Sequence, residues 1–235
     1  METTMSIETH DFARDGLHGY VARPQTPGTS GVLIVPTIFA VNPFVRHYAD
    51  GLAHAGLTAA VCDLYCGLPL VTGYEESLAR ARQLNDALVE AIVGRWLDLL
   101  QRDFSLTSLG ILGFCLGGRF ALLRAAQDPR IRACAAAYPS IEDPMLPNQS
   151  HDVLKLAGTI ACPVHICQPG HDHVASPQTY RTLRAALLGR HAATIVQYYP
   201  EAEHGFMHRK EPPANPAATA IASPQLVAFL VACLI

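Results

Sequence analysis

Ser108-Leu109-Gly110-Ile111-Leu112-Gly113-Phe114-Cys115-Leu116-Gly117-Gly118 carries more fold information than any other part of the chain. The segment from Ser108 to Phe114 is apolar and of strand length. Leu116 to Gln127 has helical spacing and stops at Asp128-Pro129, because the residue before a proline avoids the helical region. Cys115 stands at the junction. Gly113 and Gly117 lie two residues before and two after it, where a very tight turn leaves no room for side chains. A strand, a nucleophile-type residue between glycines, and a helix together describe a nucleophile elbow. The helix N-terminus favours an anion and lowers a thiol's pKa. The next amide, on Leu116, can point at a developing oxyanion.

Around this unit, apolar runs alternate with longer amphipathic stretches, the pattern of a parallel sheet with crossover helices. Strands are expected at Val32 to Pro36, Thr58 to Leu64, Arg132 to Tyr138, Val164 to Gln168 and Ala193 to Tyr199. His18 to Arg23 is expected at the sheet edge. Helices are expected at Asn42 to Ala55, along Glu75 to Gln101 with Gly94 a point of interruption, and at Ser176 to Leu188 with Ser176 as N-cap. Pro212 to Pro224 reads as a loop, followed by a last helix packed on the sheet. The whole chain, residues 1–235, reads as one domain.

Bulk properties narrow the function. Half of the residues are hydrophobic, only 16% are charged, and the net charge is −3, which suits a buried sheet and argues against a nucleic-acid partner. No run reaches the roughly 18 apolar residues that span a membrane, and Met1 to Asp15 has no signal-peptide core. Seven scattered cysteines, an odd number, suit reduced thiols and a cytoplasmic location. His171 and His173 with Cys162 and Cys167 match no common zinc spacing, so no metal site is expected there.

Partners for Cys115 fall at later strand ends, in the order nucleophile, acid, histidine. One strand runs into Gln168-Pro169-Gly170-His171-Asp172. Another runs into Tyr199-Pro200-Glu201-Ala202-Glu203-His204-Gly205-Phe206. Asp172 and His204 are the candidates, at the carboxyl ends where open α/β sheets build their sites.

With these residues in place, the chain resembles the dienelactone hydrolase family of the α/β-hydrolase fold over most of its length. Gly113-Phe114-Cys115-Leu116-Gly117-Gly118 looks like the family's G-[YF]-C-x-G-G elbow. Gly170-His171-Asp172-His173-Val174 is similar to its acid loop, and His204-Gly205-Phe206 to its histidine segment. Ile38-Phe39-Ala40-Val41-Asn42 and Cys62-Asp63-Leu64-Tyr65 resemble two further segments, with Ala40 where glycine is usual. The resemblance implies cofactor-free hydrolysis of a small ester or lactone by Cys115, His204 and Asp172, with amides of Ile38 and Leu116 as the oxyanion hole. Thr37, Phe39, Arg82, Phe206 and Arg209 are the implied substrate contacts.

Members with dienelactone activity carry a glutamate at the position of Thr37, and their substrate arginine falls at His208, one residue before Arg209. A carboxylesterase or thioesterase of the same fold, or a ligand-binding member without activity, therefore remains a rival reading. The quaternary state is expected to be a monomer or small homo-oligomer.

Overall fold

A computed structural model of the chain describes residues 6–71, 73–208 and 213–235. Its strands are β1 (Ile7–Arg14), β2 (Leu17–Pro24), β3 (Ser30–Val35), β4 (Thr58–Cys62), β5 (Ser108–Phe114), β6 (Ile131–Ala137), β7 (Val164–His171) and β8 (Thr194–Glu203). They form one sheet in the order β1-β2-β4-β3-β5-β6-β7-β8. β3 to β8 run parallel, and β1 and β2 form an antiparallel hairpin joined to β4. The chain leaves β3 in one direction toward β4 and later returns to β5 on its other side. The carboxyl ends of β3 and β5 thus flank a topological switch point, where a crevice opens in such sheets.

The parallel strands are covered on both faces, which is why they read as unbroken apolar runs. In β3, Leu33 and Val35 face one core and Val32 and Ile34 the other, and all four are fully buried. The first core also holds α3 (Asp86–Asp103), α4 (Leu116–Gln127) and α6 (Pro177–Leu188). The second holds α1 (Pro43–His54) and α7 (Pro216–Leu234). α2 (Tyr74–Ala81) and the single-turn α5 (Val153–Leu156) complete the helices of the described residues.

Four expectations need correction. β2 is not the edge strand, because β1 lies outside it. β1 is largely exposed and polar, so it lacks an apolar run, but its turn was readable: Asp15 and Gly16 take φ of 53° and 72°, the Asp-Gly hairpin signature. Glu75 to Gln101 is not one helix. It breaks between α2 and α3, where the side chain of Asn85 caps α3 by accepting from Leu88 N at 2.9 Å, while Gly94 sits inside α3. The last helix begins at Pro216, with Asn215 as N-cap and Pro224 inside it. It is therefore 19 residues long with a mean hydropathy of 1.9 over its 18-residue window, long and apolar enough to span a membrane by composition alone. Here it lies against the sheet through Ala222, Leu226, Leu230 and Leu234.

A buried ion pair ties α3 to α4. Arg119, 2% exposed, donates to both carboxylate oxygens of Asp86, 1% exposed, at 2.6 and 2.9 Å. Asp86 also accepts from Ser150 N and His151 N at 2.7 and 2.8 Å, and Arg119 donates to His151 O at 2.8 Å. Burial pushes the Asp86 carboxyl up, but Arg119 and the two amides outweigh it and hold it below its ordinary value. The pair therefore contributes stability above the unfolded carboxyl's pKa and loses it as pH falls through the lowered value. Arg119→Met would leave the carboxylate buried without its cation. A loss of about 3–5 kcal/mol is expected in urea unfolding at neutral pH, largely recovered by adding Asp86→Leu. A loss below about 1 kcal/mol in the single variant would contradict this account.

Candidate active site

The elbow is built from clashes avoided. A β-carbon on Gly117 would stand 2.0 Å from Val35 O, and one on Gly113 would stand 2.1 Å from Gly117 O. With both positions bare, α4 starts directly against the ends of β3 and β5. Cys115 takes φ 54° and ψ −118°, a strained conformation for a residue with a side chain. The surrounding backbone holds it there. Cys115 N donates to Ala137 O at 3.0 Å, and Cys115 O accepts from Gly118 N and Ser140 N, each at 2.9 Å. Cys115 is 9% exposed, and its sulfur lies 3.3 Å from the hydroxyl of Ser140.

β7 and β8 deliver the other two groups. Asp172 follows β7, and His204 follows β8. His204 Nδ1 lies 3.0 Å from each carboxylate oxygen of Asp172. Asp172 also accepts from Val174 N at 2.8 Å, Ala175 N at 3.0 Å and the Tyr180 hydroxyl at 2.9 Å. The side chains of His204 and Asp172 are 3% and 2% exposed. His204 Nε2 is buried and has no hydrogen-bond partner among the described residues.

The electrostatics follow from this placement. Burial pushes the Cys115 thiol up. The charge of His204, with Ser140 and the Leu116 amide, outweighs burial and brings the thiol below its ordinary value. Burial pulls His204 down, but Cys115 and Asp172 together raise it to about 10. Burial pushes Asp172 up, and His204 with the two amides brings it below the ordinary carboxyl value. All three shifts run in the direction of a thiolate paired with an imidazolium, itself paired with a carboxylate.

A cavity of about 340 Å³ opens on the sulfur. Its apolar wall is Ile38, Phe39, Leu78, Ala81, Leu116, Leu146 and Val174. Its polar groups include Arg82, Ser140, Glu142, His173, His204 and His208. Cys115, His204, Ile38, Leu116, Phe39 and Arg82 thus come together at one opening, with Asp172 behind His204.

Two other expected contacts do not line the cavity. Thr37 is fully buried and its Oγ1 accepts from Phe39 N at 3.1 Å, so it shapes the loop after β3 instead of touching the thiol. Phe206 is fully buried, its ring 5.5 Å from that of Tyr138 and 5.2 Å from that of Tyr199. Arg209 lies outside the described residues. Arg80 is occupied with Pro69 O at 2.7 Å and stacks over Tyr65, which leaves Arg82 as the arginine at the cavity among the described residues.

Sequence reasoning missed Ser140 and Tyr180. Ser140 had a signal, because it lies just past the end of β6, beside the elbow strand. Tyr180 had none: it sits in α6, eight residues after Asp172. Ala40 takes φ 56°, which explains why glycine suits that position better.

A parallel sheet with a strained cysteine elbow, an acid after β7 and a histidine after β8 defines an α/β-hydrolase-type fold. The family-level match agrees. The model of the dienelactone hydrolase family covers residues 17–234, and the chain belongs to that family. It is 31% identical over 210 residues to the carboxymethylenebutenolidase of Rhodococcus opacus, covering 85% of this chain and 79% of that one. In fold it is similar to the dienelactone hydrolase-like promiscuous phosphotriesterase P91 from metagenomic libraries, with TM-score 0.79, 19% identity, and coverage of 99% and 100%. It is likewise similar to the dienelactone hydrolase of Anabaena variabilis, with TM-score 0.70, 18% identity, and coverage of 99% and 100%. The protein is a dienelactone hydrolase-like enzyme acting on ester or lactone bonds.

Replacing His204 removes the counter-charge that offsets burial of the thiol. His204→Gln is expected to slow alkylation of Cys115 at pH 7 by about tenfold or more. Peptide mapping of the label, needed because Cys66 is exposed, would read this out. An unchanged rate at Cys115 would show that His204 does not set the thiol's charge.

Proposed function

We propose that the enzyme cleaves an ester or lactone through an acyl-enzyme on Cys115, with His204 as base and Asp172 as its orienting partner. One observation carries the reading. His204 is clamped through Nδ1 by both oxygens of Asp172 at 3.0 Å, while its Nε2 is buried, unpartnered and beside the elbow cysteine. A buried polar nitrogen left open in this way suits a group that exchanges a proton during reaction.

In this reading the Cys115 proton resides on His204 Nε2 and the thiolate attacks the carbonyl carbon. The carbonyl electron pair moves to oxygen, and the amides of Leu116 and Ile38 stabilise the oxyanion. Collapse expels the alkoxide or enolate, which takes the proton from His204. Water, losing a proton to His204, then releases the acid, expels the thiolate and restores the thiolate–imidazolium pair. The carbonyl of Ile38 accepts from the Tyr65 hydroxyl at 3.1 Å, which helps to fix that loop.

A thiolate is a good leaving group, so the tetrahedral adduct of a plain alkyl ester reverts more readily than it goes forward. Lactones with enol character, enol esters and aryl esters have leaving groups that compete. The apolar wall with Arg82 near its rim supports a compact acyl part and an anionic group at the far end. Arg82 makes no side-chain hydrogen bond or ion pair among the described residues, so its charge is available.

Cys115→Ala is expected to lower turnover of an activated aryl ester by at least about 10³-fold with the fold intact. Retained turnover would remove Cys115 from the mechanism. Arg82→Ala is expected to raise KM for a carboxylate-bearing lactone by about tenfold, with kcat and the KM of a neutral aryl ester little changed. Equal effects on both substrates would exclude charge recognition by Arg82. Activity is also expected to fall as pH rises through about 10, where His204 loses its proton.

A further inference from the structure

The sulfur of Cys115 is hydrogen-bonded to Ser140 at 3.3 Å, while His204 Nε2, close enough to the sulfur to act on its charge, meets no hydrogen-bond partner at bonding geometry among the described residues. Ser140 is 6% exposed, lines the cavity, and binds the elbow a second time through its amide to Cys115 O at 2.9 Å. The backbone before it is shaped for this return. Tyr138 adopts φ 39°, and its amide donates to Cys167 O at 2.8 Å. Ala137 O receives the Cys115 amide. The end of β6 therefore grips Cys115 at its amide, its carbonyl and its sulfur. Among the described residues Thr37 makes no hydrogen bond to the sulfur; its hydroxyl oxygen accepts from Phe39 N at 3.1 Å within its own loop.

We infer that Ser140 is a positioning residue for the nucleophile, its hydroxyl holding the Cys115 sulfur and donating a hydrogen bond to it whenever the thiol proton resides on His204. The inference rests on Cys115 being the nucleophile and adds the group that readies it. The hydroxyl keeps its own proton throughout. The S–H bond breaks toward His204 Nε2, the electron pair stays on sulfur, and Ser140 turns from acceptor to donor. A hydrogen bond to a charged group is stronger than one to its neutral form, so the contact favours the thiolate.

Other groups act on the same sulfur. His204 does so with Asp172 behind it, and Tyr65, Tyr138 and Tyr180 are close enough to interact with it. Burial raises all three tyrosines, so they stay neutral across the useful pH range. Arg82, Glu142, His173 and His208 line the cavity. Their contributions are common to variants at position 140 and cancel in a comparison.

The test compares wild type, Ser140→Ala and Ser140→Thr by alkylation with iodoacetamide across pH, mapped to the Cys115 peptide, and all three with Cys115→Ala by the pH dependence of kcat/KM for an aryl ester. Ser140→Ala keeps the amide contact to Cys115 O, and a thermal melt checks its fold. The expected result is an acid limb moved up by about one pH unit in Ser140→Ala, with about tenfold slower labelling on that limb and convergence at high pH. Ser140→Thr, which keeps the hydroxyl, is expected to restore most of the shift. An unmoved acid limb in Ser140→Ala, or equal shifts in Ala and Thr, would overturn the inference. If Cys115→Ala leaves kcat/KM intact, it is the nucleophile assignment that fails, and the two failures are told apart.

Discussion

A missing β-carbon at Gly117 sets the distance between α4 and the end of β3. Carbonyl oxygens of Val35 and Pro36 occupy the space that carbon would need, at 2.0 and 2.5 Å. Any larger residue pushes α4 away and opens the turn. Because the approach is this close, the helix starts on top of the sheet and Cys115 is left in a backbone conformation that few side chains adopt. Everything that surrounds the sulfur is referred to that turn. The loop after β3 brings Ile38 across it, and the end of β6 folds back to bind it through Ala137 and Ser140. The switch in strand order between β3 and β5 supplies the opening into which the sulfur points.

Placing a thiol there creates an electrostatic problem that the rest of the fold answers in sequence. Burial opposes the thiolate, so a positive group is required beside it. The buried imidazole of His204 faces the same opposition, and Asp172 answers it. The carboxylate of Asp172 is buried in turn and is satisfied by two amides, Tyr180 and the imidazole. Compensation therefore passes outward from β5 to β8 and β7 until it reaches backbone amides, which carry no protons to lose. The loops that follow β7 and β8 are thus fixed by the same requirement, although they are far apart in sequence.

Much of this was legible from residue types alone. Tight-turn glycines, an apolar strand before them and an amphipathic helix after them can be read locally. Strand ends followed by Asp172 and His204 can be ordered along the chain. What failed was whatever depends on contacts between distant segments. Asn85 starts α3 by capping it, after α2 has ended at Ala81, whereas composition made the two continuous. Asp86 and Arg119 look like ordinary helix charges until the fold buries them together. β1 gains its place by hydrogen-bonding to β2 and carries little apolar pattern of its own. Thr37 was expected among the substrate contacts from its position in the segment, but it is fully buried and its hydroxyl accepts from Phe39 N. Ser140 reaches the sulfur only because the end of β6 curls over the elbow.

The neutral residue at Thr37 also constrains the chemistry. With no carboxylate at that position, the proposed mechanism sends the Cys115 proton to His204, the buried base beside the sulfur among the described residues. Glu142 lines the cavity, but its carboxylate accepts from Gln149 Nε2 at 2.7 Å and sits on the segment after β6, away from the Asp172–His204 pair. In the proposed mechanism His204 then activates the thiol, protonates the leaving group and activates water. A single base that starts protonated gives its proton away at the first collapse and is neutral when water arrives, which is the state deacylation needs. The cycle closes without a second acid. It favours leaving groups that need little protonation to depart, and those are the enolates and phenolates of activated esters and lactones.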